Sequence, residues 1–245
     1  VNASSPLVVG FDLDMTLIDT RPGFRATLDR LALETGVQLD VAGMSERLGP
    51  PLSHMLEPYY PAEQIGSLVD RFREHYPQTA IAPTVELVGA HEALAAVRRH
   101  GGRTVVVTGK FTPNAALHVD ALEFEIDHLA GEVWGEGKAE ALKEHGASIY
   151  VGDHVHDVAG ARAAGALSVS VLTGGCSAEE LVAAGTDVVL TDLSEFPGWL
   201  DSHLLSLRLA ALEADLRARG SVLVAFSGGA DSAFLLAAAV RALGA

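Results

Sequence analysis

Short apolar runs alternate with helix-patterned stretches along most of this chain, and that alternation limits the fold more than any other feature. Leu7-Val8-Val9-Gly10-Phe11 runs without a polar residue into Asp12. Residues 103–108, 147–151 and 167–172 repeat the pattern, and 187–190 is a shorter version. Such runs suit strands buried on both faces. Between them lie helix-like stretches at 91–100, 112–122, 138–145, 158–164 and 178–184, with glycine at several joins. Strand and helix in alternation predict βαβ units, hence an α/β fold whose parallel sheet carries helices on both faces. Several strands end in a polar residue, and ligands of open α/β sheets bind at those carboxyl ends.

Two segments break the alternation. Residues 21–83 contain no convincing strand but carry helical patterns at 24–35 and 63–75. A stretch this long is not an ordinary connection, so it reads as an inserted helical subdomain. The final segment predicts an amphipathic helix over 204–219, a strand over 221–226, the loop Ser227-Gly228-Gly229-Ala230-Asp231-Ser232 and a helix over 233–243. The expected organisation is a core from residues 1–20 and 84–202, a helical cap from 21–83 and an appended fragment from 203–245.

Composition excludes several classes. With 245 residues, 49% hydrophobic and 20% charged, the chain is globular rather than disordered. No apolar run has the length needed to cross a bilayer, and the N-terminus lacks a signal-peptide pattern, so no membrane partner and a cytoplasmic location are expected. The single cysteine, Cys176, fits a reducing compartment. A formal charge of −15 argues against a nucleic-acid partner. It leaves open a small phosphorylated metabolite, because a metal ion and a few donors can reverse the field inside a pocket.

The strongest local signal is Phe11-Asp12-Leu13-Asp14-Met15-Thr16-Leu17. Two carboxylates just past a buried strand are costly unless compensated, and magnesium, bound through a few oxygens, is the natural compensation. A plain surface turn is the competing reading of this pair alone. The second element, Tyr150-Val151-Gly152-Asp153-His154-Val155-His156-Asp157, places two more carboxylates after another apolar run. In a parallel sheet the strand ends converge, so Asp153 is expected to meet Asp12 and Asp14. Thr108 ends a third run and offers a hydroxyl and a backbone N–H to a phosphate oxygen. Lys138 opens a helix and offers a cation near its positive end. Lys110 competes with Lys138 for the phosphate-binding role, and His154 and His156 read as exposed loop residues.

The ordered set Asp12-x-Asp14-x-Thr16, Thr108, Lys138 and Gly152-Asp153-x3-Asp157 resembles the four motifs of haloacid dehalogenase-type phosphatases, from about residue 7 to 200. The helical insert, with Asp19-Thr20, Gly49-Pro50-Pro51-Leu52 and Phe72-Arg73-x2-Tyr76, is similar to the phosphoglycolate phosphatase-like branch. The resemblance implies a Rossmann-like core with an α-helical cap and magnesium-dependent hydrolysis of a small phosphate monoester. It implies that Asp12 attacks phosphorus and forms an aspartyl-phosphate. Asp14 would protonate the leaving alcohol and then deprotonate water, its carboxyl raised by burial and neighbouring charge. Asp12, Asp153 and the Asp14 backbone carbonyl would hold Mg2+, with Asp157 in support, while Thr108 and Lys138 bind the transferring oxygens. Having Asp14 separates the chain from haloacid dehalogenases proper, which lack that carboxylate. Met15 replaces the usual glycine and is expected to crowd the turn without touching the chemistry. A sugar phosphomutase of the same superfamily, or a nucleotide-binding scaffold with a vestigial site, remain alternatives at this point.

The tail resembles the start of an N-type ATP pyrophosphatase, with nearest flavour in ATP-dependent sulfur transferases. Ser227, Gly228, Gly229, Asp231 and Ser232 would form its phosphate loop. Such a domain needs a full sheet and an adenine pocket, so the segment reads as a fragment without ATP-binding function. The sequence leaves the oligomeric state open.

Overall fold

The computed structural model describes residues 6–46 and 48–244. Residues 1–5, 47 and 245, which belong to the expected core, cap and tail segments respectively, lie outside the described residues. Residues 6–197 form one compact unit and residues 198–244 fall in a second.

The first unit opens with β1 (Val8–Phe11), every residue buried, followed by the two-residue β2 (Ile18–Asp19). Four helices then come without an intervening strand: α1 (Arg21–Thr35), α2 (Val41–Glu46), α3 (Leu52–Leu56) and α4 (Ala62–Thr79). Their apolar faces close on a core of their own, built on Phe24, Leu28, Leu31, Leu56, Leu68, Phe72 and Tyr76. Each fully buried leucine among them contributes about 1.5–3 kcal/mol. The Phe24 and Phe72 rings meet at 5.4 Å and tie α1 to α4. The chain returns through β3 (Val85–Glu86), which pairs antiparallel with β2. This two-stranded ribbon is the neck through which the helical subdomain leaves and re-enters the sheet domain.

The rest of the unit alternates: α5 (Ala90–Arg99), β4 (Arg103–Val107), α6 (Thr112–Ala121), β5 (His128–Ala130), α7 (Lys138–His145), β6 (Ile149–Gly152), α8 (Val155–Ala164), β7 (Leu167–Val171), α9 (Ala178–Ala184) and β8 (Val188–Leu190). The expected α/β fold is present. A six-stranded sheet runs in the order β5-β4-β1-β6-β7-β8, and every pairing in it is parallel. The chain builds outward from β1 through β4 to β5, then crosses to the other side of β1 for β6, β7 and β8. The order reverses at β1, and in sheets of this kind that reversal opens a crevice at the strand carboxyl ends. Registers Phe11↔Val106 and Phe11↔Val151 set Asp12 level with the last residues of β4 and β6, one step before Thr108 and Asp153.

The second unit carries most of α10 (Phe196–Arg219), which begins in the first, and α11 (Ala230–Leu243). Leu216, Ala238 and Ala239 pack there with Leu209, Leu212, Val222 and Val224. The expected strand over 221–226 is not formed: these residues have no strand pairing, and Leu223 is 99% exposed. A β-rich sequence needs a neighbouring edge to bond its backbone, and none reaches it among the described residues. No helix among the described residues is long and apolar enough to cross a membrane.

Candidate active site

Asp12 leaves the carboxyl end of β1, its N–H still bonded to the Val151 carbonyl at 2.8 Å. Asp153 follows β6 directly, and Asp157 lies in the first turn of α8. Carboxylate oxygens of Asp12, Asp153 and Asp157 all fall within 4.8 Å of one another, and all three residues are buried. Glycine makes this crowding possible. A Cβ on Gly152 would collide with the Asp157 carboxylate, and one on Gly174 with that of Asp153.

One cation serves this cluster directly. The Lys138 ammonium, at the first residue of α7, donates to Asp12 Oδ1 at 2.8 Å, Asp157 Oδ1 at 2.6 Å and the Tyr150 hydroxyl at 2.9 Å. Its three hydrogens are thereby spent. Burial works against the lysine charge, but Asp12 and Asp157 outweigh it and hold the ammonium well above its usual range. Burial pushes the Asp12 carboxyl up to about 7, with Lys138 opposing and Asp157 adding to the rise. Burial, then the charges of Asp157 and Asp12, push Asp153 well above the usual carboxylate range. Thr16 Oγ1 donates to Asp153 Oδ1 at 3.0 Å. Among the described residues, no hydrogen bond reaches the Oδ2 atoms of Asp12 or Asp153.

Asp14 stands apart from that trio. Its Oδ1 accepts from Lys110 Nζ at 2.8 Å and from Thr20 Oγ1 at 2.7 Å. Burial raises this carboxyl, yet Lys110 and Thr20 outweigh burial and leave it below its ordinary value. The expectation of a raised Asp14 is therefore reversed, because a buried ammonium is its immediate neighbour. Lys110 also donates to the Tyr76 hydroxyl at 2.9 Å, and that hydroxyl shares a hydrogen bond with His118 Nε2 at 3.0 Å. Burial and the nearby Lys110 push the His118 imidazole down to about 4, so it is neutral near pH 7. The helical subdomain thus reaches Asp14 through one tyrosine on α4.

Thr108 is buried just past β4. Its backbone N–H is not free as expected, since it continues the sheet to the Ala130 carbonyl at 2.9 Å. Its hydroxyl accepts from the Lys110 N–H at 3.2 Å and keeps its own proton to donate. Met15 sits at φ +62°, the left-handed region where glycine is at ease. Its side chain is buried rather than crowded out, and its carbonyl accepts from Thr173 Oγ1 at 2.5 Å. His154 and His156 are half-buried rather than exposed. His154 caps α8, and the His156 ring packs 4.2 Å from Trp134, whose Nε1 donates to the Gly49 carbonyl at 2.7 Å.

Asp12, Asp14, Thr108, Lys110, Lys138 and Asp153 are among the residues lining a cavity of about 230 Å³ between the sheet edge and the helical subdomain. Tyr150 and Asn114 were not anticipated. Tyr150 is a polar tip inside an otherwise apolar strand, and Asn114 lies one helical turn before His118 on α6, a spacing that puts both on one face. In the second unit, Ser227, Gly228, Gly229 and Asp231 are exposed and Ser232 is half-buried. Ser227 Oγ and Ser232 Oγ bond to each other at 3.1 Å, and α11 begins at Ala230, three residues earlier than expected.

Residues 9–162 match the family model described as haloacid dehalogenase-like hydrolase, and residues 138–196 match a second, HAD-hydrolase-like, model. The chain is 27% identical to a phosphoglycolate phosphatase of Rhodospirillum rubrum over 220 residues, covering 80% of this chain and 91% of that protein. It is 26% identical to a 5'-nucleotidase of Pseudomonas aeruginosa over 213 residues, covering 79% and 95%. A haloacid dehalogenase-like hydrolase from Streptococcus pneumoniae shares the fold with a TM-score of 0.70 at 22% identity, covering 80% of this chain and 98% of that one. No similarity among these extends the expected ATP-loop reading of the tail. With carboxylates gathered at the reversal point of a parallel sheet and a family model spanning residues 9–162, this chain belongs to the haloacid dehalogenase-like hydrolases.

Proposed function

We propose that this chain is a magnesium-dependent phosphatase that hydrolyses a small phosphate monoester through an aspartyl-phosphate on Asp12, in the manner of a phosphoglycolate phosphatase. The observation that carries the reading is the buried cluster of Asp12, Asp153 and Asp157 beside a single lysine. Three carboxylates facing one ammonium are short of positive charge. Hard oxygen donors, two of them without a hydrogen bond, suit a divalent ion such as Mg2+. Asp12 and Asp153, with the Asp14 backbone carbonyl, would hold it, and Asp157 would support them through Lys138. When bound, the ion neutralises charge on the transferring phosphoryl oxygens.

The chain's own residues do the rest. Asp12 forms a bond to phosphorus as the bond to the leaving oxygen breaks. Thr108 donates its hydroxyl to a phosphoryl oxygen, and Lys138 keeps its charge beside Asp12, where negative charge accumulates. Asp14 gives a proton to the leaving alcohol and takes one back from the water that splits the aspartyl-phosphate. Lys110 keeps Asp14 ionised at rest, the form needed for the second half. The dianionic phosphate of an arriving substrate raises its proton affinity for the first half.

The size of the cavity supports a small leaving group. About 230 Å³ lies below the roughly 300–1,000 Å³ of pockets that hold drug-sized ligands. This favours a phosphoglycolate-sized ester over a nucleoside 5'-monophosphate, and relatives with each name are known. Phosphate release should be measured from both with magnesium and with excess chelator. Release from 2-phosphoglycolate that needs magnesium, with a much smaller kcat/KM for the nucleotide, is the expected result. Full turnover in chelator would sink the metal-dependent reading, and preference for the nucleotide would sink the small substrate.

A further inference from the structure

Asn114 is a buried residue whose amide has no protein partner among the described residues. It is 4% exposed, lines the cavity, and makes no side-chain hydrogen bond among the described residues. Other buried polar groups of the cavity wall are engaged: Thr108 with the Lys110 N–H, Lys138 with Asp12 and Asp157, Tyr76 with Lys110. Native proteins leave few buried amides unpaired, because the desolvation cost is then uncompensated. An amide that faces a cavity without a protein partner is available to what enters it.

Its surroundings select the charge of that ligand. Asn114 lies in the first turn of α6, which no side chain caps and which holds no acidic residue. The first turn of a helix carries unbonded N–H groups and the positive end of the helix dipole. Lys110, two residues before α6, directs two donors to Asp14 and Tyr76, and an ammonium has three. The four aspartates of the site have no such donors to offer, so this corner is where an acceptor-only group finds partners.

The same contacts separate this corner from the phosphoryl site. The phosphoryl group must lie against Asp12. Asn114 shares a helix face with His118, which bonds Tyr76, which bonds Lys110, which bonds Asp14. Asp14 faces the leaving oxygen, so Asn114 lies on the leaving-group side. We infer that the Asn114 amide and the uncapped first turn of α6 form a subsite for a carboxylate carried by the leaving alcohol. This rests on the phosphatase reading above and assigns the residue that makes it selective.

The test compares two esters of equal chain length, 2-phosphoglycolate and ethyl phosphate, which lacks the carboxylate. Asn114→Ala removes the amide. Asn114→Asp keeps its volume, repels a carboxylate and suits a helix first turn, so it guards against a variant that merely fails to fold. Both should raise KM for 2-phosphoglycolate about tenfold or more, as loss of a hydrogen bond to a charged group does, with Asn114→Asp the worse. Neither should change kcat/KM for ethyl phosphate more than about twofold, the scatter of context effects on one contact. Equal losses on both esters would place the amide with the phosphoryl group or the fold and overturn the subsite, as would no loss on either. A parent protein that hydrolyses both esters alike would also overturn it while leaving the phosphatase reading intact. A parent protein inactive on every phosphomonoester with magnesium would instead bring down the phosphatase reading itself.

Discussion

Lys138 Nζ lies 2.8 Å from Asp12 Oδ1, and this contact opposes the burial that raises the carboxyl of the proposed nucleophile. The lysine is simultaneously 2.6 Å from Asp157, so a single buried cation bridges two elements, the end of β1 and the start of α8.

Removing that cation leaves buried acids unpaired. Lys138→Met keeps most of the stem and should destabilise the metal-free protein by about 3–5 kcal/mol at pH 8, the cost of breaking a buried pair from one side. The loss should be smaller at pH 5, where Asp12 takes up a proton, and added magnesium should restore part of it. Denaturant melts at both pH values check this. An unchanged midpoint at pH 8 would show that Lys138 compensates nothing.

The metal-free protein should lose stability as pH rises from about 4 to about 7. The Asp12 carboxyl has its ordinary value of 3.8 in the unfolded chain and about 7 in the native one. The native state therefore holds a proton that the unfolded state has released, and its advantage drains away across that window. Asp153, raised by the same burial, acts in the same direction. Magnesium competes with these protons, so its apparent affinity should rise with pH, by about tenfold or more per pH unit below 7. Calorimetric titration of the protein at pH 5.5, 6.5 and 7.5 reads the slope. A flat profile would contradict the raised carboxyls.

Met15 inverts the usual ranking of alanine and glycine. Its φ of +62° costs a residue with a Cβ about 1–2 kcal/mol that glycine does not pay. Met15→Gly and Met15→Ala both lose a buried side chain worth about 2–5 kcal/mol. The glycine variant should nevertheless be the more stable of the two by about 1 kcal/mol. Thermal melts of the pair decide it, and an alanine variant that melts higher would show that the turn relaxes.

Much of the sheet was legible because strands buried on both faces read as unbroken apolar runs. The runs before Asp12, Thr108 and Asp153 became β1, β4 and β6, and the helical pattern beginning at Lys138 became α7 with the same limits. The edge strand β5 was missed because His128-Leu129-Ala130 is too short and too mixed to stand out. α2 and α3 were missed for a related reason: each is about one turn and a half, held by the packing of Met44 and Leu56 rather than by pattern. The opposite error occurred at 221–226, where β propensity without a partner edge left extended chain. In the site, the order of acidic residues pointed to the right strand ends. It could not tell which lysine faces which carboxylate. Lys110 beside Asp14 and Lys138 beside Asp12 are settled by rotamer and burial, and with them the direction in which each carboxyl shifts.

The most direct test of the account is to catch the phosphoryl group on Asp12. Asp14→Asn should still accept phosphate from p-nitrophenyl phosphate, whose leaving group needs no protonation, but should hydrolyse the intermediate slowly. Acid quenching after incubation with magnesium and this ester, then peptide mass spectrometry, should find one phosphoryl group on Asp12. The adduct should be absent when Asp12→Asn is added to the same chain. Phosphate release at an undiminished rate from a chain carrying Asp12→Asn, or an adduct on any other residue, would contradict the central claim.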